Sequence, residues 1–475
     1  MCPPVRKTTD VAALPRGRHD PNPERGRLRG RATPRTASRL RGAVAWLRAH
    51  VFSTLTATLL GLIPSEGVRA EPLATSEAGG AEVVLELDLE TALAFAEMAS
   101  PRIKAVESRV EGARFGVVTA RQYPNPEAIA SSGRQIGRQP GNPNGMLGVV
   151  EVAQPIDLPI VRSPRIRSAE AGVVGSEHAL EETRFVLRAN VKQAFYDALR
   201  RRAEFQLAGQ NQRVFQEIRD RVALQHRVGE VPKFELTRAD AELAVAINVT
   251  NSARLRVVQS IAMLRAAVGV PLPAELEPVG ELPEPPALPP IEVLRREVLS
   301  RYPAIARADA DVARARAQLQ HERALRIGQP SFRAGFEREP QIDNYRVGIS
   351  IPLPIFNRRA GQIGEAQAVL EQATLAAELV RIEVRAAIDA AHGRYEVARA
   401  QIAQYEGGLL KQAESALAVA EAAFRFGERG FIDVLDAQRV LRNVRNDFLT
   451  ARFDRQSALI EIERLRAVEP EASQP

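Results

Sequence analysis

Gly427-Glu428-Arg429-Gly430-Phe431-Ile432-Asp433-Val434-Leu435-Asp436 interrupts two long runs of helical periodicity. Before it, Leu409, Ala413, Ala416, Ala420 and Ala423 recur at steps of three and four. After it, the same steps run through Val434, Ala437, Leu441, Val444, Phe448, Ala451, Arg455, Ala458, Ile462 and Leu465, with Arg455 the only charge in the seam. Such spacing lays one face of each run on a partner helix. Gly427 and Gly430 tolerate the positive φ of a chain reversal, and Asp433 follows where the N–H end of a returning helix favours a carboxylate. The stretch predicts the tip of a long antiparallel helical hairpin.

The same tip occurs earlier. Gly229-Glu230-Val231-Pro232-Lys233-Phe234-Glu235-Leu236-Thr237-Arg238-Ala239 aligns with it without gaps at an offset of 198, pairing Gly229 with Gly427 and Glu235 with Asp433. Ile156-Asp157-Leu158-Pro159-Ile160 precedes Ile351-Pro352-Leu353-Pro354-Ile355 by 195, and Ser100-Pro101-Arg102-Ile103 matches Tyr302-Pro303-Ala304-Ile305. Three anchors in one order predict an internal duplication. The expected units are 87–270, with its tip at about 227–235, and 291–468, with its tip at about 425–433. Eight prolines between 271 and 290 predict an extended connector, and 469–475 is a tail.

Aromatic residues make up only 5% of the 475-residue chain, and alanine fills many seam positions. Small residues suit closely approaching coiled-coil helices better than a thick globular core. The net charge of +7 belongs to the leader: residues 1–70 carry thirteen Lys/Arg against four Asp/Glu, which leaves −2 for the rest. No basic cluster there is interleaved with aromatics, so nucleic-acid binding is not expected. Cys2 is the only cysteine, which excludes a disulfide framework and a cysteine-based metal site or nucleophile. His178, His226, His321 and His392 show no helical metal-site spacing. With no phosphate loop and no acid–base–nucleophile set, neither catalysis nor a cofactor or metal site is expected.

Basic residues, a short apolar run at 51–63 and Val68-Arg69-Ala70 predict a signal peptide cleaved after Ala70, followed by a polar linker over 71–86. The long basic stretch suggests translation beginning near Val44. Residues 87–122 have helical periodicity that Tyr123-Pro124-Asn125-Pro126 breaks. Residues 127–157 and 330–352 each predict a strand–loop–strand pair. In the second, Phe332, Phe336, Tyr345, Val347 and Ile349 alternate with polar residues, the pattern of a transmembrane strand with one face to lipid and one to a wet lumen. Helical runs of about sixty residues follow each pair, over 163–225 and 359–426, about 90 Å at the helical rise.

Helix, two strands, long helix, tip and helix, given twice behind a signal peptide, resembles the TolC-like outer membrane efflux family. Ile351-Pro352-Leu353-Pro354-Ile355-Phe356-Asn357-Arg358 is similar to that family's strand-to-helix junction, closest to its heavy-metal branch. Phe426-Gly427-Glu428-Arg429 with Ile432-Asp433-Val434-Leu435-Asp436-Ala437 is similar to its second tip. The resemblance implies a mostly α fold with a small transmembrane β part. Long antiparallel coiled-coil helices and four strands per chain would join into a homotrimeric α/β barrel tunnel. It implies an outer membrane exit duct, with a periplasmic adaptor and an inner-membrane RND-type pump as partners. The duct would pass metal cations or small toxic compounds. By the same resemblance, Asp433 and Asp436 face the pore entrance, and Arg429 and Phe424 belong to a closed-state latch. Glu235, in the Asp433 place of the first copy, would add an acidic ring that Arg238 offsets. Gly229, Val231, Phe234, Gly427 and Phe431 are the expected exposed tips that touch the adaptor. A periplasmic adaptor and a helical scaffold without a membrane span are the alternatives. Neither explains the two strand pairs.

Overall fold

The computed structural model describes residues 85–468, apart from 138–140, 142–143, 274–275 and 285–286. The expected signal peptide, nearly all of the 71–86 linker and the 469–475 tail lie outside the described residues. In chain order, β1 (Leu85–Leu87), α1 (Leu89–Ala99) and α2 (Pro101–Arg121) are followed by β2 (Glu127–Gln135), β3 (Gly145–Pro155), α3 (Pro159–Arg227) and α4 (Lys233–Val268). Then come β4 (Leu276–Pro278), α5 (Ile291–Arg301), α6 (Pro303–Ala324), β5 (Ser331–Arg338), β6 (Asp343–Ser350), α7 (Ala360–Gln404), α8 (Leu410–Arg425) and α9 (Phe431–Arg466).

The helical periodicity of 87–122 is cut at Ser100, whose hydroxyl caps the next helix by accepting from the Arg102 N–H, with Pro101 in the first helical position. Proline belongs there because the N–H it lacks has no helical partner. Tyr302-Pro303 makes the same break between α5 and α6. Helix α3 runs unbroken for 69 residues, about 100 Å at 1.5 Å per residue. The run expected over 359–426 is not continuous: residues 405–409 form a π turn in which Gly408 takes φ 143°. The Gly407-Gly408 pair permits that excursion, and such insertions kink helices.

Two layers of order follow. Near the sheet the helices lie side by side as α2, α3, α6, α7. Beyond it, α4 packs on the C-terminal half of α3 and α9 packs between α3 and the α7–α8 pair. The helix order near the sheet carries directly into the strand order β2-β3-β5-β6, antiparallel throughout. Register puts Val150 and Val152 of β3 opposite Phe336 and Ala334, and Phe332, Ala334 and Phe336 opposite Ile349, Val347 and Tyr345. One face is therefore a continuous apolar surface that no described residue covers: Tyr345 is 81% exposed and Val347 74%. The other face carries Glu151, Arg333, Glu337 and Arg346, joined as Arg333–Glu151 and Arg346–Glu337 ion pairs. Strands β2 and β6 have no further strand partner among the described residues.

A short parallel pair, β1 with β4, joins the start of the first half to the connector, aligning Leu85 with Leu276 and Leu87 with Pro278. Residues 276–278 therefore depart from the extended connector expected over 271–290. Leu87 is fully buried beside Leu276, Ala92, Phe195 and Leu264. A second core gathers Leu294, Tyr302, Ile388 and Ile462. Arg455, the one charge in the α9 seam, is buried and lies 3.9 Å from Glu284 of the connector. The α8 seam behaves differently. Ala413 is buried and Ala420 and Ala423 are half-buried against α9, while Ala416 and, in the preceding π turn, Leu409 are exposed.

Candidate functional site: the paired helix tips

Both hairpin tips close with one hydrogen-bond pattern at the same offset. Gly229 N–H donates to His226 O and Glu230 N–H to Gln225 O; Gly427 N–H donates to Phe424 O and Glu428 N–H to Ala423 O. This is the Schellman arrangement, which needs a left-handed residue just past the helix. Gly229 and Gly427 supply it with φ 85° and 74°. Gly430 does not: at φ −77° and ψ 163° it is the extended N-cap of α9. Asp433 is the third helical residue, an acid of the first turn, as Glu235 is in α4. There a carboxylate interacts favourably with unpaired N–H groups.

Phe431 corrects the expected exposed tip. It is only 2% exposed and packs in a cluster with Phe215, Val222, Ala239, Ala246 and Leu435. Its ring lies 6.0 Å from that of Phe424 at 50°. Phe215 and Val222 belong to α3 and Ala239 and Ala246 to α4, so Phe431 joins the two hairpins to each other. Phe424 and Val231 are half-buried against the same cluster. In the first tip, His226, the counterpart of Phe424, closes the loop by a 3.0 Å hydrogen bond to Val231 O. Phe234 stays outside at 69% exposure, together with Val228, Phe426 and Ile432. Val228 matches Phe426 and Phe234 matches Ile432 at the offset of 198, so each tip presents an apolar side chain at the same two places. Val228, Phe426 and Ile432 escaped sequence reasoning, although the alignment of the tips already paired them.

Asp433 and Asp436 are both solvent-facing, and each is paired within the chain. Arg429 lies 3.8 Å from Asp433, and Arg439 lies 3.6 Å from Asp436. Arg439 also reaches across to Glu242 of α4, a nearly buried carboxylate, and so bridges the hairpins beside Phe431. Neither Arg439 nor Glu242 was foreseen, because their contact joins segments 197 residues apart. Farther up, Arg219 of α3 holds Asp240 of α4 at 2.8 Å. That bond pushes the guanidinium above its ordinary range. Arg238, at the Asp436 place of the first tip, has no ion-pair partner among the described residues.

At the opposite end of the helices, the Asp157 side chain is fully buried. It accepts from Arg165 at 2.6 Å and 3.4 Å, with Arg162 at 3.6 Å. Arg165 also donates to Ala120 O and Gln122 O, tying the end of α2 to the start of α3. Among the described residues no three His, Cys, Asp or Glu side chains come together as a metal site. Among the described residues no helix is long and apolar enough to cross a membrane, which says nothing of strands.

The chain is similar to the cobalt-zinc-cadmium resistance protein CzcC of Cupriavidus metallidurans, 26% identical over 387 residues that span 81% of this chain and 89% of the relative. Its fold is similar to a membrane protein of Pseudomonas aeruginosa, with a TM-score of 0.70 and 18% identity over 81% of this chain and 93% of that one. It is also similar to the Campylobacter jejuni CmeC outer membrane channel, with a TM-score of 0.69 and 16% identity over 80% and 85%. At those identities the two structures speak for the fold alone. The profile described as "Outer membrane efflux protein" matches residues 95–270 and 294–467, well over half of the sequence, and the chain belongs to that family.

Proposed function

We propose that the protein is the outer membrane exit duct of a tripartite efflux system, a passive channel through which an inner-membrane RND-type pump expels cargo. The observation that carries this is the four-stranded sheet, with one uncovered apolar face, one charged face and two open edges. Open strand edges are not tolerated in lipid, and four short strands cannot close a lumen by themselves. Three copies joined edge to edge by cyclic symmetry close it as a twelve-stranded barrel. Ala416 of α8 and the exposed apolar side chains Val245 and Leu255 on α4 then meet the neighbouring copies. The halves 87–270 and 291–468 each supply two of the four strands.

In this assembly the tips form the periplasmic entrance. Asp433, Asp436 and Glu235 supply rings of carboxylates, which favour cations. Arg429 and Phe424 hold the second tip in its closed position. Phe234, Phe426, Val228 and Ile432 meet a periplasmic adaptor, because exposed apolar residues at a hairpin tip mark a contact surface. Phe431 leaves this set and becomes the joint between hairpins. Similarity to a protein named for cobalt, zinc and cadmium resistance favours metal cations as cargo. Fractionation of a Gram-negative host tests the reading: heat-modifiable trimers in the outer membrane that open ion-conducting pores in planar bilayers are expected. Soluble periplasmic monomers would remove it.

A further inference from the structure

We propose that the rim where the helices meet the sheet holds the headgroup of an anionic glycerophospholipid, gripped by Arg323, Arg326 and Arg358. The proposal rests on the membrane insertion of the sheet argued above. Two adjoining concavities open at this rim. The first, about 410 Å³, lies between the start of α3 and the end of α6 and is lined by Ile160, Arg167, Arg323 and Ile327 among others. The second, about 420 Å³, is lined by Arg323, Arg326, Ile327, Pro354 and Arg358. Both volumes fall within the usual range of small-molecule sites.

Four guanidinium groups line the two concavities, and no carboxylate does. The nearby acids are already engaged, Glu322 by Arg359 and Asp157 by Arg162 and Arg165. Among the described residues Arg167 donates to Gln320 alone. Arg323, Arg326 and Arg358 have no carboxylate partner among the described residues. A planar guanidinium matches phosphate oxygens two at a time.

The apolar residues identify the phosphate as a lipid's. Beyond the last paired residue of β6, the alternation of Tyr345, Val347 and Ile349 runs on through Ile351, Leu353 and Ile355, all exposed, to Phe356 at 99% exposure. Ile160 and Ile327 are exposed inside the concavities themselves. A free anion has no use for these side chains, whereas a lipid lays acyl chains along them while its phosphate meets the arginines. The rim is on the helix side of the sheet, so the leaflet concerned is the one facing the tunnel helices.

The test uses the full chain purified in neutral detergent, with native mass spectrometry during titration of phosphatidylglycerol, phosphatidylcholine or inorganic phosphate. Phosphatidylglycerol is expected to be retained at least tenfold more tightly than phosphatidylcholine. Arg323→Gln with Arg326→Gln and Arg358→Gln is expected to weaken its retention on the order of a hundredfold, about fivefold per guanidinium. Equal retention of both lipids would overturn the proposal. So would inorganic phosphate displacing phosphatidylglycerol at comparable concentration, or a triple variant that keeps the preference. If the triple variant instead loses its oligomeric state, the grooves are contacts between subunits and the lipid assignment falls. Fractionation of the unmodified protein is read separately. Its absence from the outer membrane removes the duct itself, whatever the lipid result.

Discussion

Phe431→Ala is the perturbation with the most to say, because the ring sits where two hairpins meet. Removing a core phenylalanine costs about 3–5 kcal/mol, from lost burial and the cavity left behind. The ring contact with Phe424 contributes roughly 0.5–1.5 kcal/mol of that. The site lies at the far end of both hairpins, remote from the two larger cores around Phe195 and Ile388. The loss therefore appears as local opening of the tips, with little change in global melting. At about 1.4 kcal/mol per factor of ten, amides of 425–440 and 218–240 are expected to exchange with deuterium roughly a hundred- to a thousandfold faster, up to the ceiling set by the wild-type opening free energy. Exchange of β5 and β6 serves as the unchanged reference. Phe234→Ala, at an exposed ring in the other tip, should stay within about 0.5 kcal/mol of wild type. Tip exchange in Phe431→Ala within tenfold of wild type, or equal effects of the two substitutions, would refute the joint.

Other outcomes follow from single residues. Gly427→Ala should destabilise the second tip by about 1–2 kcal/mol. Its cost is purely conformational, since a Cβ there meets nothing within 4 Å, while Gly430→Ala at φ −77° should cost much less in the same exchange measurement. Asp433→Asn with Asp436→Asn should lower cation selectivity in planar bilayers while leaving melting nearly unchanged, since both acids are solvent-facing; an unaltered reversal potential removes them from the pore. Burial pushes the Tyr196 and Tyr302 phenols above their ordinary value, helped by Glu463 at Tyr196 and opposed by Arg464 at Tyr302. The unfolded chain then ionises first, so stability is intact below about pH 10 and is lost as pH rises through the folded values. Circular dichroism against pH should show a shallower alkaline loss for Tyr302→Phe than for wild type.

The local features were legible because each is written in a few adjacent residues. Steps of three and four along 433–466 imply a helix with a buried face, and Val434, Leu441, Ala451, Ala458, Ile462 and Leu465 are buried. Alternation over 331–351 implies two unlike faces, and the register puts Phe332, Phe336, Tyr345, Val347 and Ile349 on one of them. The glycine at each tip signals a positive φ, and Gly229 and Gly427 adopt it. Where two residues competed for one role, local pattern was insufficient. Gly427 and Gly430 look alike in sequence, but only the one in the Schellman position takes the left-handed conformation. Phe234 and Phe431 both stand in a tip, but only one faces another hairpin.

By itself, then, the sequence determined the helical seams, the turn glycines and the two-faced strands, because these depend on the period of the backbone and on the allowed φ of each residue. Tertiary structure alone decided that Phe431 and Arg439 join α9 to the first hairpin, that β1 pairs with β4, and that four arginines share one carboxylate-free rim. Those facts depend on which segments meet after the chain has doubled back. The partners lie far apart along the chain, so no local periodicity can encode them, and only packing brings them together.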